Sequence, residues 1–177
     1  WYETLFFTPQ KAAWHGQDPE GDKVRELVKG ESVLELGCGG VKTVPHSLGV
    51  DIIKGGEMIP TVAQRSVADL QADVTKLPAD LGKFDTIIAR HILEHCLDAV
   101  AALEHWKSFL APGGRLILAV PDDTIIESIP LNPEHKHAFT PGSLANLMRL
   151  VGLENAQGYQ LGNGSSCIVA ADLTACH

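Results

Sequence analysis

Residues 33–40, Val-Leu-Glu-Leu-Gly-Cys-Gly-Gly, decide the fold, because a short apolar run passes directly into a glycine-rich turn. Its first part, together with the preceding Ser32, gives residues 32–36 the length and apolarity of a buried strand. Glycine has no Cβ, so the backbone after this strand can bend sharply and let a ligand lie against it. The stretch therefore predicts a β-strand whose carboxyl end carries a ligand-binding turn.

Predicted strands and helices alternate around this stretch. We expect further strands over residues 48–52, 67–72, 84–89, 115–120, 154–160 and 166–173, and helices over residues 22–28, 98–110 and 141–151. Apolar runs such as FDTIIA, residues 84–89, are typical of parallel strands that are covered on both faces. The alternation predicts an α/β fold with a doubly wound, Rossmann-like, mostly parallel sheet of seven strands and an antiparallel C-terminal hairpin. Residues 1–21 are predicted to be an aromatic-rich strap or lid, and residues 22–177 the domain itself.

The composition limits the classes of function. The chain has 177 residues, 45% of them hydrophobic and 20% charged, which suits one domain with a continuous core. No apolar run reaches the roughly 18 residues that span a bilayer, and the four cysteines form no Cys-x-x-Cys pair, as is usual in a reducing cytosol. The net charge of -8 argues against general nucleic-acid binding. We expect a cytoplasmic protein without a membrane partner; its oligomeric state stays open.

An acidic residue at the end of the next predicted strand, Asp51, indicates what the turn binds. Its carboxylate can accept hydrogen bonds from a ribose diol, so turn and acid together favour a ligand that contains a nucleoside. The dinucleotide fingerprint needs a third glycine and an acid about 20 residues further on. Lys42 stands at the third glycine's position, and Asp51 follows Gly37 after only 14 positions. A nicotinamide dinucleotide is therefore disfavoured.

Further short segments occur in a specific order along residues 22–173. They are ELGCGG (35–40), GVD (49–51), ADV and LP (72–74 and 77–78), FD (84–85), HILEH (91–95) and LAPGGRL (110–116). Together they resemble class I S-adenosylmethionine-dependent methyltransferases of the UbiE-like (methyltransferase type 11) group. The resemblance implies S-adenosylmethionine as cofactor, S-adenosylhomocysteine as product and the sheet order 3-2-1-4-5-7-6.

The resemblance also implies the cofactor-binding residues. They are Glu35, Gly37, Cys38, Gly39, Asp51, Ile52, Asp73, Val74, Arg90 and His91. Among them, Glu35 would orient the glycine turn, Asp51 would hold the ribose, and Asp73 would meet the adenine amino group beside a backbone contact from Val74. Arg90 and His91 would lie by the methionine and sulfonium end of the cofactor.

The chain departs from the family pattern directly after the glycine turn. Val41 replaces the usual third glycine, and only about ten residues separate Gly39 from Val50. This segment is too short for a full helix plus a strand, so the first helix after the turn is predicted to be truncated or lost. A module that binds the cofactor without transferring a methyl group is therefore an alternative.

Three histidines, His91, His135 and His137, are the candidate catalytic residues. His135 and His137 lie in the loop after the fifth predicted strand, where an imidazole could deprotonate an acceptor hydroxyl or amine. His91 and His95, in an HxxEH segment, also have the spacing of inverted zinc peptidases. A zinc hydrolase with a third ligand from His135 or His137 is thus a lesser alternative, although the segment lies where the methyltransferase pattern expects it. We assign no metal ligand from the sequence.

The reaction predicted by the resemblance is in-line displacement at the sulfonium methyl group. The leaving thioether is neutral and needs no acid, so catalysis rests on holding the nucleophile about 3 Å from the methyl carbon. The acidity of the chain favours a small-molecule or glycan acceptor over nucleic acid. The residues do not distinguish oxygen, nitrogen and carbon acceptors.

Overall fold

The computed structural model describes residues 18–60, 63–161 and 164–175. The strands are β1 (Val33–Leu36), β2 (Leu48–Asp51), β3 (Met58–Ile59), β4 (Gln64–Arg65), β5 (Leu70–Gln71), β6 (Phe84–Arg90), β7 (Leu110–Pro121), β8 (Glu154–Gln160) and β9 (Ser166–Asp172). The α-helices are α1 (Pro19–Leu27), α2 (Ala99–Lys107), α3 (Ser128–Leu131) and α4 (Pro141–Leu150). Short 3₁₀ turns, Val74–Lys76 and Leu93–His95, follow β5 and β6.

Seven of these strands form one sheet in the order β5-β2-β1-β6-β7-β9-β8. The first five strands in this order, β5, β2, β1, β6 and β7, are parallel to one another, whereas β9 is antiparallel to both β7 and β8. Counted within this sheet, the order is 3-2-1-4-5-7-6, so the predicted doubly wound α/β fold with its antiparallel hairpin is confirmed. The order reverses between β1 and β6, and the carboxyl ends of these strands open the crevice where such sheets bind ligands.

The core lies on both faces of the central strands, as their apolar runs predict. On one face, Leu34 and Ile87 belong to a cluster that includes Trp106 of α2. On the other face, Ile88 belongs to a cluster that includes Val24 of α1. Successive residues of a strand point to opposite faces, so neighbours such as Ile87 and Ile88 are buried under different helices.

The segment between β1 and β2 contains turns and bends but no helix. The predicted truncation of the first helix after the glycine turn is therefore confirmed. The next predicted strand, over residues 67–72, is wrong in extent, because only Leu70–Gln71 pairs with β2. Before it, Asp69 N donates to the carbonyl of Gly49 at 2.9 Å, but Gly49 N donates to the Asp69 carboxylate at 2.7 Å and not to a backbone carbonyl, so the ladder is incomplete there. The small hairpin of β3 and β4 was not predicted.

Helix α1 begins at Pro19, three residues before the predicted cap Asp22. Asp18 is the cap, since its carboxylate accepts from Gly21 N at 2.8 Å and Pro19 occupies the first turn. The predicted boundary between residues 21 and 22 thus falls inside a helix. Residues 1–17, which make up most of the predicted strap or lid, lie outside the described residues.

The other helices agree more closely with the sequence. Asp98 caps α2, as predicted. The helix ends at Lys107 and not at the predicted Leu110, since Leu110 is already the first residue of β7. Thr140 caps α4 with Pro141 in the first turn. Among the described residues, no helix has both the length and the apolarity to cross a membrane.

Candidate active site

The turn after β1 requires glycine for two separate reasons. Gly37 and Gly39 adopt left-handed backbone conformations, with φ of 64° and 60°. A Cβ on Gly37 would also lie 2.0 Å from Cδ1 of Ile92. The N–H groups of Gly37 and Cys38 both donate to the carbonyl of Val50, at 2.8 and 3.2 Å. The turn is thus fixed against the end of β2, at the mouth of the crevice.

Glu35 organises the short segment that replaces the missing helix. Its buried carboxylate accepts from the backbone N–H of Thr43 at 2.8 and 2.9 Å and from Thr43 Oγ1 at 2.7 Å. Ser47 Oγ donates to the same carboxylate at 3.2 Å. A carboxylate therefore takes the place of the helical carbonyls that would otherwise satisfy these N–H groups. Glu35 holds the wall of the site, and its oxygens are occupied by the protein itself.

Asp51 joins the end of β2 to the glycine turn. Its Oδ2 accepts from Gly39 N and its Oδ1 from Ile53 N, both at 2.9 Å. The side chain is only half-buried, and a carboxylate oxygen has a second lone pair for another donor. Beside it, Ile52 is 64% exposed, which leaves an apolar surface next to the acid. This combination suits a ribose and its attached base.

Asp73 and Val74 form a second polar part of the site, just after β5 in the chain. Asp73 Oδ1 accepts from the N–H and the hydroxyl of Thr75, at 2.9 and 2.7 Å. These bonds from Thr75 keep the pKa of Asp73 below 3.8, so its carboxylate is charged at neutral pH. The carbonyl of Val74 accepts from Trp106 Nε1 at 2.9 Å, which fixes the 3₁₀ turn on α2. An amino group could therefore meet a charged acceptor here.

Arg90 and His91, at the end of β6, are held by helix α1. Arg90 Nε donates to Glu20 at 2.7 Å, and its two terminal nitrogens donate to the oxygens of Asp18 at 3.0 Å. Arg90 also donates to Thr43 Oγ1 at 2.9 Å. His91 Nε2 lies 3.0 Å from Glu20 Oε2, and the residue has a left-handed φ of 55°. Such strain in a non-glycine residue persists only where its surroundings impose it.

Burial and charge act against each other in this network. Burial opposes the charge of Glu20, but His91 and Arg90 outweigh it and hold the pKa of Glu20 far below 4.5. Burial likewise opposes the His91 imidazolium, but the carboxylates of Glu20 and Glu94 raise the pKa of His91 from 6.5 to about 9. His91 is therefore charged at neutral pH and donates to Glu20. This disfavours it as a base and favours a role in holding α1 on the end of β6.

Glu94, His95 and His135 approach one another beside this network. Glu94 and His95 lie in the 3₁₀ turn after β6, whereas His135 lies in the loop after α3. One possible ligand atom of each residue lies within 4.8 Å of the others. The N–H groups of Lys136 and His137 both donate to the carbonyl of Glu94, at 2.7 and 3.3 Å. These two bonds hold the loop against the turn.

His135 and His137 have different environments. Nδ1 of His135 is 3.1 Å from the carbonyl of Ser128. A carbonyl can only accept, so Nδ1 carries the proton and Nε2 is the nitrogen with a lone pair. Burial lowers the pKa of His135 below 6.5, which keeps the ring neutral. Nε2 of His137 is buried without a hydrogen-bond partner in the described part of the chain, and its ring lies 5.8 Å from that of Phe139.

The zinc-hydrolase alternative is not supported. It requires His91 and His95 as a ligand pair, but both nitrogens of His91 face carboxylates. The cluster that does form contains Glu94 in place of His91.

Sequence reasoning missed Asp18 and Glu20. Asp18 before Pro19 is a strong cap signal, and it could have placed the start of α1 correctly. Nothing in the sequence pairs Glu20 with Arg90, because 70 positions separate them. Glu35, in contrast, was predicted to orient the glycine turn; its carboxylate instead binds Thr43 and Ser47 of the segment after the turn, and its role towards the cofactor stays a prediction.

The strand order, the glycine turn and the acid at the end of β2 define the class of protein as a Rossmann-like, class I methyltransferase fold. The model of a family described as "Methyltransferase domain" matches residues 17–157. The chain therefore belongs to this methyltransferase-domain family. The predicted family is thereby confirmed.

Individual relatives cover different parts of the chain. A demethylmenaquinone methyltransferase of Mycobacterium sp. (strain JLS) is 33% identical over 100 residues, which are 55% of this chain and 41% of that protein. The chain therefore spans about two fifths of that relative's length. A ubiquinone biosynthesis O-methyltransferase of Xanthomonas euvesicatoria pv. vesicatoria is 27% identical over 175 residues, 82% of this chain and 73% of that protein.

Solved structures share the fold at low sequence identity. The N-methyltransferase NodS of Bradyrhizobium japonicum, in complex with S-adenosyl-L-homocysteine, has a TM-score of 0.67 and 17% identity. The match covers 96% of this chain and 94% of NodS.

Proposed function

We propose that this domain transfers a methyl group from S-adenosylmethionine to a small-molecule or glycan acceptor and releases S-adenosylhomocysteine. One observation carries the proposal: the half-exposed Asp51 carboxylate bridges β2 to the glycine turn at Gly39 N. This arrangement puts an acceptor for a ribose diol beside a backbone that a ligand can approach closely. Membership of the methyltransferase-domain family supports the same cofactor and the same reaction.

The proposed cofactor lies along the carboxyl ends of β1, β2 and β5. The backbone of Gly37, Cys38 and Gly39 would line its methionine and ribose portions. Ile52 would pack on the adenine and Asp73 would accept from its amino group, with a backbone contact from Val74. The other candidates act through these groups: Glu35 holds the segment after the glycine turn, and Arg90 and His91 fix α1 against the end of β6.

The acceptor would approach from the loop after β7. This part of the chain carries the exposed aliphatic side chains Ile125, Ile129 and Leu131, which suit an acceptor with an apolar portion, such as a lipid-linked glycan. If the acceptor keeps its proton until attack, His137 is the candidate base, because its Nε2 has no hydrogen-bond partner among the described residues. His135 is less suited, since burial lowers its pKa below 6.5 and so makes it a weaker base.

Calorimetric titration with S-adenosylhomocysteine tests the cofactor site. We expect the wild-type chain to bind one equivalent and Asp51→Ala to bind about 10- to 100-fold more weakly, as the loss of hydrogen bonds to a charged group implies. Asp51→Asn, which keeps one oxygen for Gly39 N, should fall in between. Asp80→Ala, at an exposed loop acid, is the matched control. Wild-type affinity in Asp51→Ala, with folding verified by circular dichroism, would remove Asp51 from the site.

A methyl-transfer screen tests the reaction itself. Labelled S-adenosylmethionine with a library of phenols, amines and glycolipids should yield a labelled acceptor. Binding of S-adenosylhomocysteine with no transfer to any acceptor would favour the inactive module over the enzyme. The cytoplasmic location and the lack of a nucleic-acid or membrane partner stay predictions.

A further inference from the structure

Glu94 is a buried acid whose carboxylate has no hydrogen-bond partner among the described residues. The residue is 0% exposed, and neither carboxylate oxygen has a hydrogen-bond partner in the described ranges. Oε1 lies 3.3 Å from His91 Nδ1, an ion-pair distance without hydrogen-bond geometry. Burying a carboxylate is costly unless charge and hydrogen bonds compensate it. The carboxylate of Glu94 is therefore only partly compensated by the described residues.

Two imidazoles complete the surroundings of this carboxylate. His95 follows Glu94 directly, and the loop that carries His135 is bonded to the Glu94 carbonyl through Lys136 N. The rings of His95 and His135 meet edge to face with their centroids 4.8 Å apart. The hydrogen bond from His135 Nδ1 to Ser128 leaves the Nε2 lone pair available. Metal-binding histidines are oriented in this way, by a carbonyl on the other ring nitrogen.

We propose that Glu94, His95 and His135 form a binding site for one divalent transition-metal ion. Imidazole and carboxylate ligands together suit zinc and its first-row neighbours rather than calcium or magnesium. Ligand atoms about 2.0–2.2 Å from a tetrahedral zinc ion lie about 3.3 Å from one another. The observed spread of up to 4.8 Å therefore closes with small side-chain rotations.

Three protein ligands leave coordination positions open for water or for a ligand oxygen. The cluster lies at the carboxyl ends of β6 and β7, next to the loop from which the acceptor would approach. In a step that rests on the function proposed above, an acceptor oxygen would occupy an open position and be polarised there. Metal binding itself does not depend on that step.

Titration of the metal-free chain, without an affinity tag, with Zn²⁺ tests the site by calorimetry and elemental analysis. We expect one ion per chain in the wild type. Glu94→Gln and His135→Gln should each weaken binding by on the order of 100-fold or more, since even outer-shell changes cost 10- to 100-fold. His46→Ala removes an exposed histidine that lies in the segment between β1 and β2, and should leave affinity unchanged.

A measurement on the wild type avoids dependence on variants that fail to fold. Imidazole ¹⁵N resonances of His95 and His135 should shift on addition of Zn²⁺, whereas those of His46 and His105 should not. Absence of a stoichiometric ion, or shifts confined to other histidines, would overturn the proposal. S-adenosylhomocysteine binding, measured separately with and without chelator, shows whether a failure concerns the metal or the cofactor.

Discussion

Replacing Glu20 of helix α1 by alanine should destabilise the fold strongly, because it breaks a buried ion pair. Glu20 is 5% exposed and Arg90 is 3% exposed, and their 2.7 Å ion pair connects α1 to the end of β6. The same carboxylate accepts from His91 at 3.0 Å. In the alanine variant, the buried cations Arg90 and His91 thus lose one of the carboxylates that compensate their charge.

The magnitude follows from what Arg90 retains. Removing one partner of a buried ion pair costs about 3–5 kcal/mol, because the other charge stays buried. Arg90 keeps its two bonds to Asp18 and one to Thr43, which places the expected loss at the lower end, about 3 kcal/mol. For a chain of this length that corresponds to a fall in Tm of about 6–12 °C.

Urea denaturation monitored by tryptophan fluorescence measures the loss. Glu26→Ala is the matched control, because Glu26 lies on the same helix but is exposed, and its ion pair with Lys23 at 2.9 Å is a surface pair. Such pairs contribute about 0–1 kcal/mol. Both substitutions replace glutamate by alanine, but Glu20 lies in the first turn of α1 and Glu26 in the last. The difference between the variants therefore includes a helix-dipole contribution of about 0.3–1 kcal/mol for each position, which is smaller than the loss expected from the buried network.

The pH dependence has a defined sign. The folded pKa of Glu20 lies below its ordinary 4.5, so its stabilisation is complete above that value and is lost as the pH falls through the folded pKa. The gap between wild type and Glu20→Ala should therefore persist down to pH 4.5 and close only in stronger acid. Equal stability of the Glu20 and Glu26 variants at pH 6 would refute the reasoning.

Two other predictions concern the turn and the thiols. Gly37→Ala should cost about 1–3 kcal/mol from its left-handed φ of 64° alone, and more from the clash with Ile92. Gly113→Ala, with a similar φ of 75° and the nearest atom 3.8 Å from the added Cβ, carries only the first penalty. Thermal unfolding compares the two variants, and equal losses would remove the steric argument. Burial raises the pKa of Cys96 to about 11 and that of Cys167 to about 12. Both thiols should therefore react slowly with iodoacetamide at pH 8 and rapidly in urea, as measured by peptide mapping with mass spectrometry. Fast labelling of either thiol in the folded chain would contradict its burial.

Local sequence was sufficient wherever a single spacing or a single cap residue determined the secondary structure. The short spacing between Gly39 and Val50 predicted the loss of a helix, and the cap residues Asp98 and Thr140 predicted two helix starts correctly. The start of α1 was predicted wrongly although a local signal for it exists, because Asp18 directly before Pro19 is a stronger cap signal than Asp22.

The sequence alone predicted the seven strands of the main sheet, the glycine turn and the family, since these depend on periodicity and on residues close together in the chain. Only the tertiary structure decided that Glu20 neutralises Arg90 and that His135 joins Glu94. These pairs are 70 and about 40 positions apart, and no local pattern specifies them. Burial turns them into strong interactions, because charges removed from water need partners that only the folded chain brings together.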